Sequence, residues 1–188
     1  MHIVLHQLIR DHQNLTKIHA CLKREMRYYK DGESRPDVGI LLDATDYLRN
    51  YPEAFHHPLE DKIYGQMRFS VVDPFMLRML DHIEMQHAQM EVLLRRLHAD
   101  FVAIANDQVI PVRKVLSDYE AFIDLAEEHI LCENKYLFPA ITQYLSHDEL
   151  DAIKEEIDAR KDPLFGQDRL KVYENLHRSI MPSKDAVA

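Results

Sequence analysis

Glycine occurs four times in this 188-residue chain and cysteine twice, and no apolar run approaches the ~20 residues that a membrane-spanning helix needs. So little glycine suits helices and excludes a low-complexity sequence, as does a composition that is 46% hydrophobic and 29% charged. Cys21 and Cys132 form neither a CxxC pair nor a framework of spaced pairs, which excludes a disulfide scaffold and leaves two reduced thiols. Positive charge is in deficit: 23 Lys and Arg against 32 Asp and Glu, a formal net charge of -9. That balance argues against nucleic acid or an anionic membrane surface as a partner. The opening MHIVLHQLIRDH is interrupted by histidine and charge. It reads as a helix start rather than a secretory signal, so a cytoplasmic setting is expected. The length suits one domain with a sizeable core.

What the chain has is helical periodicity through most of its length and almost no alternating strand pattern. A first helix is expected over roughly residues 3–30, on the spacing Leu8, His12, Leu15, His19, Leu22, Met26, Tyr29, ended by DGESRPD. A second stretch runs roughly from Val38 to Phe69. Pro52 and Pro58 lie inside it and each removes a backbone hydrogen bond, so this stretch should be bent or broken in two. Asp73-Pro74 opens a third helix as N-cap and first residue. Its seam is Met76, Leu80, Ile83, His87, Met90, Leu94, Leu97, Phe101 and Ile104, with His87 the one polar member. After NDQVIP, a fourth helix runs to about Leu145 on Val115, Tyr119, Phe122, Ala126, His129, Glu133, Tyr136 and Ala140. Ser146, with Glu149 three residues on, is a capping box for SHDELDAIKEEIDARK. DPLFG breaks that helix, a last one spans roughly Gln167 to Ile180, and MPSKDAVA is a frayed tail. The expected architecture is all-α: an antiparallel four-helix bundle over residues 1–146 with a C-terminal helical extension over 147–188. The extension is amphipathic and is expected to cover the bundle or to form a homodimer face.

Three helical stretches place a histidine with a glutamate four residues later: His56/Glu60, His87/Glu91 and His129/Glu133. The first helix adds His12 in IRDHQNL. Residues i and i+4 share a helix face, so each pair aims an imidazole and a carboxylate at one point. A lone histidine on an apolar face is usually a core residue with one satisfied hydrogen bond. Four of them at mid-length of four long helices, three followed by Glu, are not independent accidents. Buried carboxylates without cations would cost several kcal/mol each or stay protonated. Metal ions remove that cost, and imidazole with carboxylate suits iron, manganese or zinc. The four helices together make a box for two such ions. A ferritin-like arrangement uses a Glu from each of two helices and Glu-x-x-His from each of the others. Glu53-x-x-His56 and Glu84-x-x-His87 match that string, but they fall on the second and third helices. Ala126 stands where the fourth helix would need Glu, and His12 where the first would. The order H, HxxxE, H, HxxxE fits better. Tyr64, Tyr119 and Tyr136 lie near the ligand turns and could each hydrogen-bond a carboxylate there, although a core tyrosine with a satisfied hydroxyl is commoner. His19, one heptad past His12 and roughly 10 Å along the axis, reads as a buried hydrogen-bonded group, and Cys132 as a small buried hydrophobe.

The motifs IRDHQNL, YPEAFHHPLEDKIY, MQHAQMEVLL and HILCENKYLFP, in this order over roughly residues 3–145, resemble the hemerythrin-like, or HHE cation-binding, domain proteins of bacteria. KDPLFG resembles one bacterial subgroup of them. HILCENKYLFP is also similar to the matching stretch of bacterial di-iron proteins that help repair iron–sulfur clusters after nitric oxide damage. The resemblance implies an oxo- or hydroxo-bridged di-iron centre. His12 and His56 would serve one iron, His87 and His129 the other, and Glu60 and Glu133 would bridge them. It implies binding of, or reaction with, O2, peroxide or NO, in oxidative or nitrosative stress response, sensing or repair. A metal-dependent interaction module, or reversible oxygen storage without catalysis, is the alternative. Oxygen carriers of the family place two histidines four apart on the third helix, whereas His87 has Glu91 at i+4 and Ile83 at i-4. They also use Asp at i+5 on the fourth helix, where this chain has Glu133 at i+4. Glu91 is therefore a further candidate ligand, one that would favour ferric iron. So is His57, which the kink before Pro58 could swing inward.

Overall fold

The computed structural model describes residues 1–31, 35–156 and 162–181. Helix α1 spans Ile3–Asp31, α2 Val38–Asn50, α3 His57–Met67, α4 Pro74–Ala105, α5 Val112–Cys132, α6 Phe138–Tyr144, α7 His147–Glu156 and α8 Glu174–Ile180. No strand occurs among the described residues, and no helix there is long and apolar enough to cross a membrane. One π turn, Pro52–His56, joins α2 to α3, and a second, Glu133–Leu137, joins α5 to α6. The bundle thus has four rods: α1, α2–α3, α4 and α5–α6. Short connections over 68–73 and 106–111 turn the last three back on one another, so successive rods run antiparallel. The sequence signals at their ends act locally. Asp37 accepts from the Ile40 N–H at 3.1 Å and Asp73 from the Phe75 N–H at 2.9 Å. Ser146 and Glu149 close the capping box, at 2.8 Å from the Ser146 N–H and 3.3 Å from the Glu149 N–H.

Both π turns precede a proline, Pro58 and Pro139. A proline inside a running helix lacks the N–H and clashes with the carbonyl four residues back. Here the turn before it widens instead, the His57 N–H donating to the Pro52 carbonyl and the Phe138 N–H to that of Glu133. A π turn inserts one residue and rotates everything beyond it. The fourth helix is consequently not the unbroken seam expected from periodicity. Leu137 takes the buried position, and Tyr136 sits half-exposed against Phe75. The last helix is also shorter than expected. Asp162 caps the Leu164 and Phe165 N–H groups, and Leu170 N–H donates to the Pro163 carbonyl at 2.9 Å. These bonds fold residues 162–170 into a loop, and only after a 3₁₀ turn at Lys171–Tyr173 does α8 begin. Gly166 is required in that loop, since a Cβ there would lie 2.3 Å from the Asp162 carbonyl oxygen. Residues 32–34 of the first breaker, the end of SHDELDAIKEEIDARK beyond Glu156, and the tail beyond Met181 lie outside the described residues.

The apolar core is split into two clusters. One holds Leu15, Leu22, Leu41, Leu94, Phe101 and Phe122, and the C-terminal Leu164, Tyr173 and Leu176 pack into it. The other holds Leu5, Leu8, Ile63, Leu80, Ile83 and Ile141, with Leu150 and Ile153 of α7. Between them every rod crosses a buried polar stretch: Asp11 and His12, His56 to Glu60, Gln86 and His87, His129 to Glu133.

Candidate metal centre

That layer brings the sequence candidates to one place. Ligand atoms of His12, His56, Glu60 and Glu133 lie within 4.8 Å of one another, and so do those of His57, Glu60, His87 and His129. Glu60 belongs to both groups. Its Oε1 lies 3.2 Å from His56 Nε2 and 3.7 Å from His12 Nε2, while its Oε2 lies 3.6 Å from His87 Nε2. Glu133 Oε2 stands 3.1 Å from His12 Nε2 and 3.0 Å from His129 Nε2. Two neighbouring ligands of an ion with bonds near 2.1 Å are about 3.0 Å apart, and opposite ones about 4.2 Å. The spacings suit ligands around one ion, and although the shortest fall in hydrogen-bond range, none is aligned for a bond. The inward atoms His12 Nε2, His56 Nε2, His87 Nε2, His129 Nε2, both oxygens of Glu60 and Glu133 Oε2 are all buried without an aligned hydrogen bond. Leaving so many polar atoms unsatisfied in a dry interior is costly unless a cation takes them up.

The outward nitrogens are held. His12 Nδ1 lies 3.0 Å from Asn134 Oδ1, His56 Nδ1 3.3 Å from Asp11 Oδ2, and His87 Nδ1 2.8 Å from Asp61 Oδ1. Such partners fix the ring orientation and raise its basicity toward a metal. Asp11 is positioned in turn by Gln7 Nε2 at 2.7 Å and the Tyr51 hydroxyl at 3.4 Å. The remaining Glu133 oxygen, Oε1, accepts from the Tyr64 hydroxyl at 2.7 Å. Of the three tyrosines near the ligand turns, then, Tyr64 reaches a carboxylate. Tyr119 is buried in the first apolar cluster, and Tyr136 is turned outward by the π turn. Asp11, Asp61 and Asn134 escaped the sequence reading, and each directly adjoins a candidate ligand in the chain. A polar neighbour one step around a helix looks like ordinary surface until the packing of α3 against α4 and of α1 against the two π turns is known.

The two carboxylates and the imidazoles around them shift one another. Burial and the adjacent Glu133 charge push Glu60 up, but His56 and His87 outweigh them and hold it at about 2. Burial likewise works against Glu133, yet His129 and His12 keep it well below the ordinary range. Burial alone would lower His87, and its bond to Asp61 together with the nearby Glu60 carboxylate raises it to about 10. His56 is raised in the same way, Glu60 and Asp11 prevailing over burial. His57 goes the other way: burial takes it to about 4, the nearby Glu53 notwithstanding, so it is a neutral imidazole.

Of the two further candidates, the structure brings His57 to the layer and leaves Glu91 outside it. His57 is buried, stacked on His87 with ring centroids 4.3 Å apart. Glu91 stays on the surface, 58% exposed and paired with Arg95 at 2.9 Å. The buried stripe of α4 passes from His87 to Met90 and Leu94, leaving i+4 at its edge. His19 is buried and lines a small cavity beside the layer, and Cys132 is half-buried near His82 and Glu128 at the surface.

A helical bundle whose middle layer gathers imidazoles and two shared carboxylates is a metal-binding bundle of the histidine–carboxylate type. Residues 4–141 match the hemerythrin HHE cation binding domain, and the chain belongs to that family. It is also similar to an uncharacterized protein of Mycobacterium bovis and an uncharacterized protein of Mycobacterium tuberculosis, each 26% identical over 164 residues. The match covers 82% of this chain and 62% of either relative. No solved structure matches the chain.

Proposed function

We propose that the protein holds two iron ions in this layer and uses them to bind or react with O2, peroxide or nitric oxide, in oxidative or nitrosative stress response, sensing or iron–sulfur repair. The observation that supports it is the pair of four-residue groups sharing Glu60, both buried and both unsatisfied. His12 and His56 would hold one ion and His87 and His129 the other, with Glu60 and Glu133 as the carboxylate ligands. His57 supplies the second group with the neutral imidazole that oxygen carriers of the family take from their third helix. Bound iron contributes a Lewis acid and one-electron chemistry. The protein's own groups set its surroundings: Tyr64 fixes Glu133, Asp61 and Asp11 fix His87 and His56, and the flanking apolar clusters exclude water. Beside His57 and His129 lies a cavity of about 20 Å³ walled largely by Leu15, Met90, Leu94 and Phe122. It has room for about one water-sized molecule, which favours a diatomic or peroxide over an organic substrate. Anaerobic reconstitution is expected to give about two irons per chain. Glu133→Ala should fall well below that, and His147→Ala, remote from the layer, should not. No metal above trace in the parent would remove the proposal. A reversible spectral change with O2 would mark storage, an irreversible one redox chemistry.

A second reading, an iron-dependent interaction module, draws on a chain of contacts from His56 to the C-terminal loop. Asp11 links His56 to Tyr51, Tyr51 stacks on Tyr47 at 5.9 Å, and the Tyr47 hydroxyl donates to Asp162 at 3.3 Å. Iron-dependent proteolytic protection of residues 162–181 would favour it.

A further inference from the structure

A second cavity meets the layer, and its chemistry is opposite to the first. It measures about 420 Å³ and opens between α3 and α4, walled by Glu53, Asp61, Glu84 and Glu91, with His57 and His87 at its inner end. The two cavities share Glu53 and His57. Exposed acids alone would mean little. The inner end is what distinguishes these: His57 is buried, its Nδ1 has no hydrogen-bond partner, and that atom lies 3.4 Å from Glu53 Oε2. His87, equally buried, is bonded to Asp61, and both imidazoles belong to the group around Glu60. A continuous run of carboxylates therefore leads from solvent to the layer. Glu84 pairs with Arg68 and Glu91 with Arg95 at the mouth, but neither arginine lines the cavity, so the donors on its wall are carboxylates and imidazoles.

We propose that this acidic vestibule is the loading route for a hydrated divalent cation, ferrous iron in the first place, with Glu84 and Glu91 at the mouth and Glu53 and Asp61 at the throat. The proposal rests on the di-iron reading above. A hydrated ion does not fit an apolar space of about 20 Å³, but it fits 420 Å³ lined by hard oxygen donors that replace its waters one at a time. A cleft lined by one sign of charge concentrates the opposite ion and raises its on-rate by about 10 to 1,000-fold. The division of labour follows: cations arrive through the acidic side, and a small uncharged ligand occupies the apolar side.

The test is the rate of anaerobic ferrous uptake by metal-free protein at low ionic strength, sampled by quenching free iron with a chromogenic chelator. Final stoichiometry is measured by elemental analysis. Glu84→Lys with Glu91→Lys is expected to slow uptake about tenfold and still fill to the parent level. Glu84→Gln with Glu91→Gln should slow it less. Glu120→Lys with Glu155→Lys makes the same change in net charge away from the cavity and should match the parent. In about 1 M salt, where screening acts within about 3 Å, the rates should converge. Equal rates at low salt in proteins that all fill would overturn the route and leave the di-iron reading standing. A stoichiometry that drops along with the rate would overturn it by making these residues ligands. A parent that takes up no iron would overturn both.

Discussion

Histidines in this protein divide by what burial does to them. His19 is buried and the Glu127 charge does not offset that burial, so it is held down at about 4 against an ordinary value of 6.5. A depressed histidine binds its proton in the unfolded chain before the folded one. Its neutral burial therefore costs nothing above pH 6.5, and stability is lost as pH falls from 6.5 toward 4. Between pH 7 and pH 5 that loss is about 2 kcal/mol. Denaturant titrations of the metal-free protein should show His19→Gln losing about that much less than the parent over the interval. Parallel losses would mean that His19 is not held neutral. Tyr64 makes a residue-scale prediction of a different kind. Among the described residues its hydroxyl makes the one aligned hydrogen bond to the buried Glu133 carboxylate. Tyr64→Phe should still fill with metal at saturation but weaken affinity roughly tenfold, the low end for partners that orient ligands. Equilibrium competition with a chelator measures it, and an unchanged affinity would make the bond incidental.

At the scale of elements the two π turns decide which side chains face inward. An unbroken fourth helix would put Tyr136 in the seam and leave Leu137 at the edge, and the structure has the reverse. Leu137→Ala should therefore cost about 2–5 kcal/mol, as for a buried leucine, and Tyr136→Ala less than about 1 kcal/mol. Urea unfolding of the two variants checks the order, and a larger loss at Tyr136 would reject the register. The same turns mark where the sequence was legible and where it was not. The α4 seam from Met76 to Phe101 was readable because no proline interrupts its period, and its buried residues follow that period. His12, His56, His87 and His129 stood out as polar members of such seams, as did the glutamates four residues after two of them. Periodicity could not show that Pro58 and Pro139 would be absorbed by widening a turn rather than by a kink. That choice is set by how much the residues beyond gain from packing, which is a tertiary quantity. His57 was open for the same reason, one residue of rotation separating the layer from solvent, whereas Glu91 sits at the edge of the regular α4 stripe, which runs from His87 to Met90 and Leu94. The start of α8 was misread at Gln167 because the competing bonds run from Leu170 back to Pro163 and from Asp162 to its own loop, contacts that helix propensity does not contain.

For the whole molecule, the buried polar layer is a liability that metal would convert into a clamp. Two apolar clusters meet across a plane of imidazoles and carboxylates whose inward atoms lack aligned partners. Without a cation, Glu60 draws His56 and His87 toward their protonated forms. A cation bound only to the folded state adds stability as RT ln(1 + [L]/Kd), about 2.7 kcal/mol at a hundredfold excess over Kd. In a domain of this size each kcal/mol moves the melting temperature by about 2–4 °C. Ferrous iron under anaerobic conditions should therefore raise Tm by roughly 5–10 °C, increasingly with concentration. A chelator should reverse the rise. Glu60→Gln keeps the shape but removes one of the two candidate carboxylate ligands, and should lose most of the response because, among the described residues, Glu60 alone belongs to both groups of ligands. The metal-free Tm of that variant serves as its own reference, so a general loss of stability does not imitate the effect. A parent whose melting is indifferent to iron and chelator would show that the layer closes on itself through its protons. The clustered histidines would then be structural, and the bundle a scaffold rather than a metal centre.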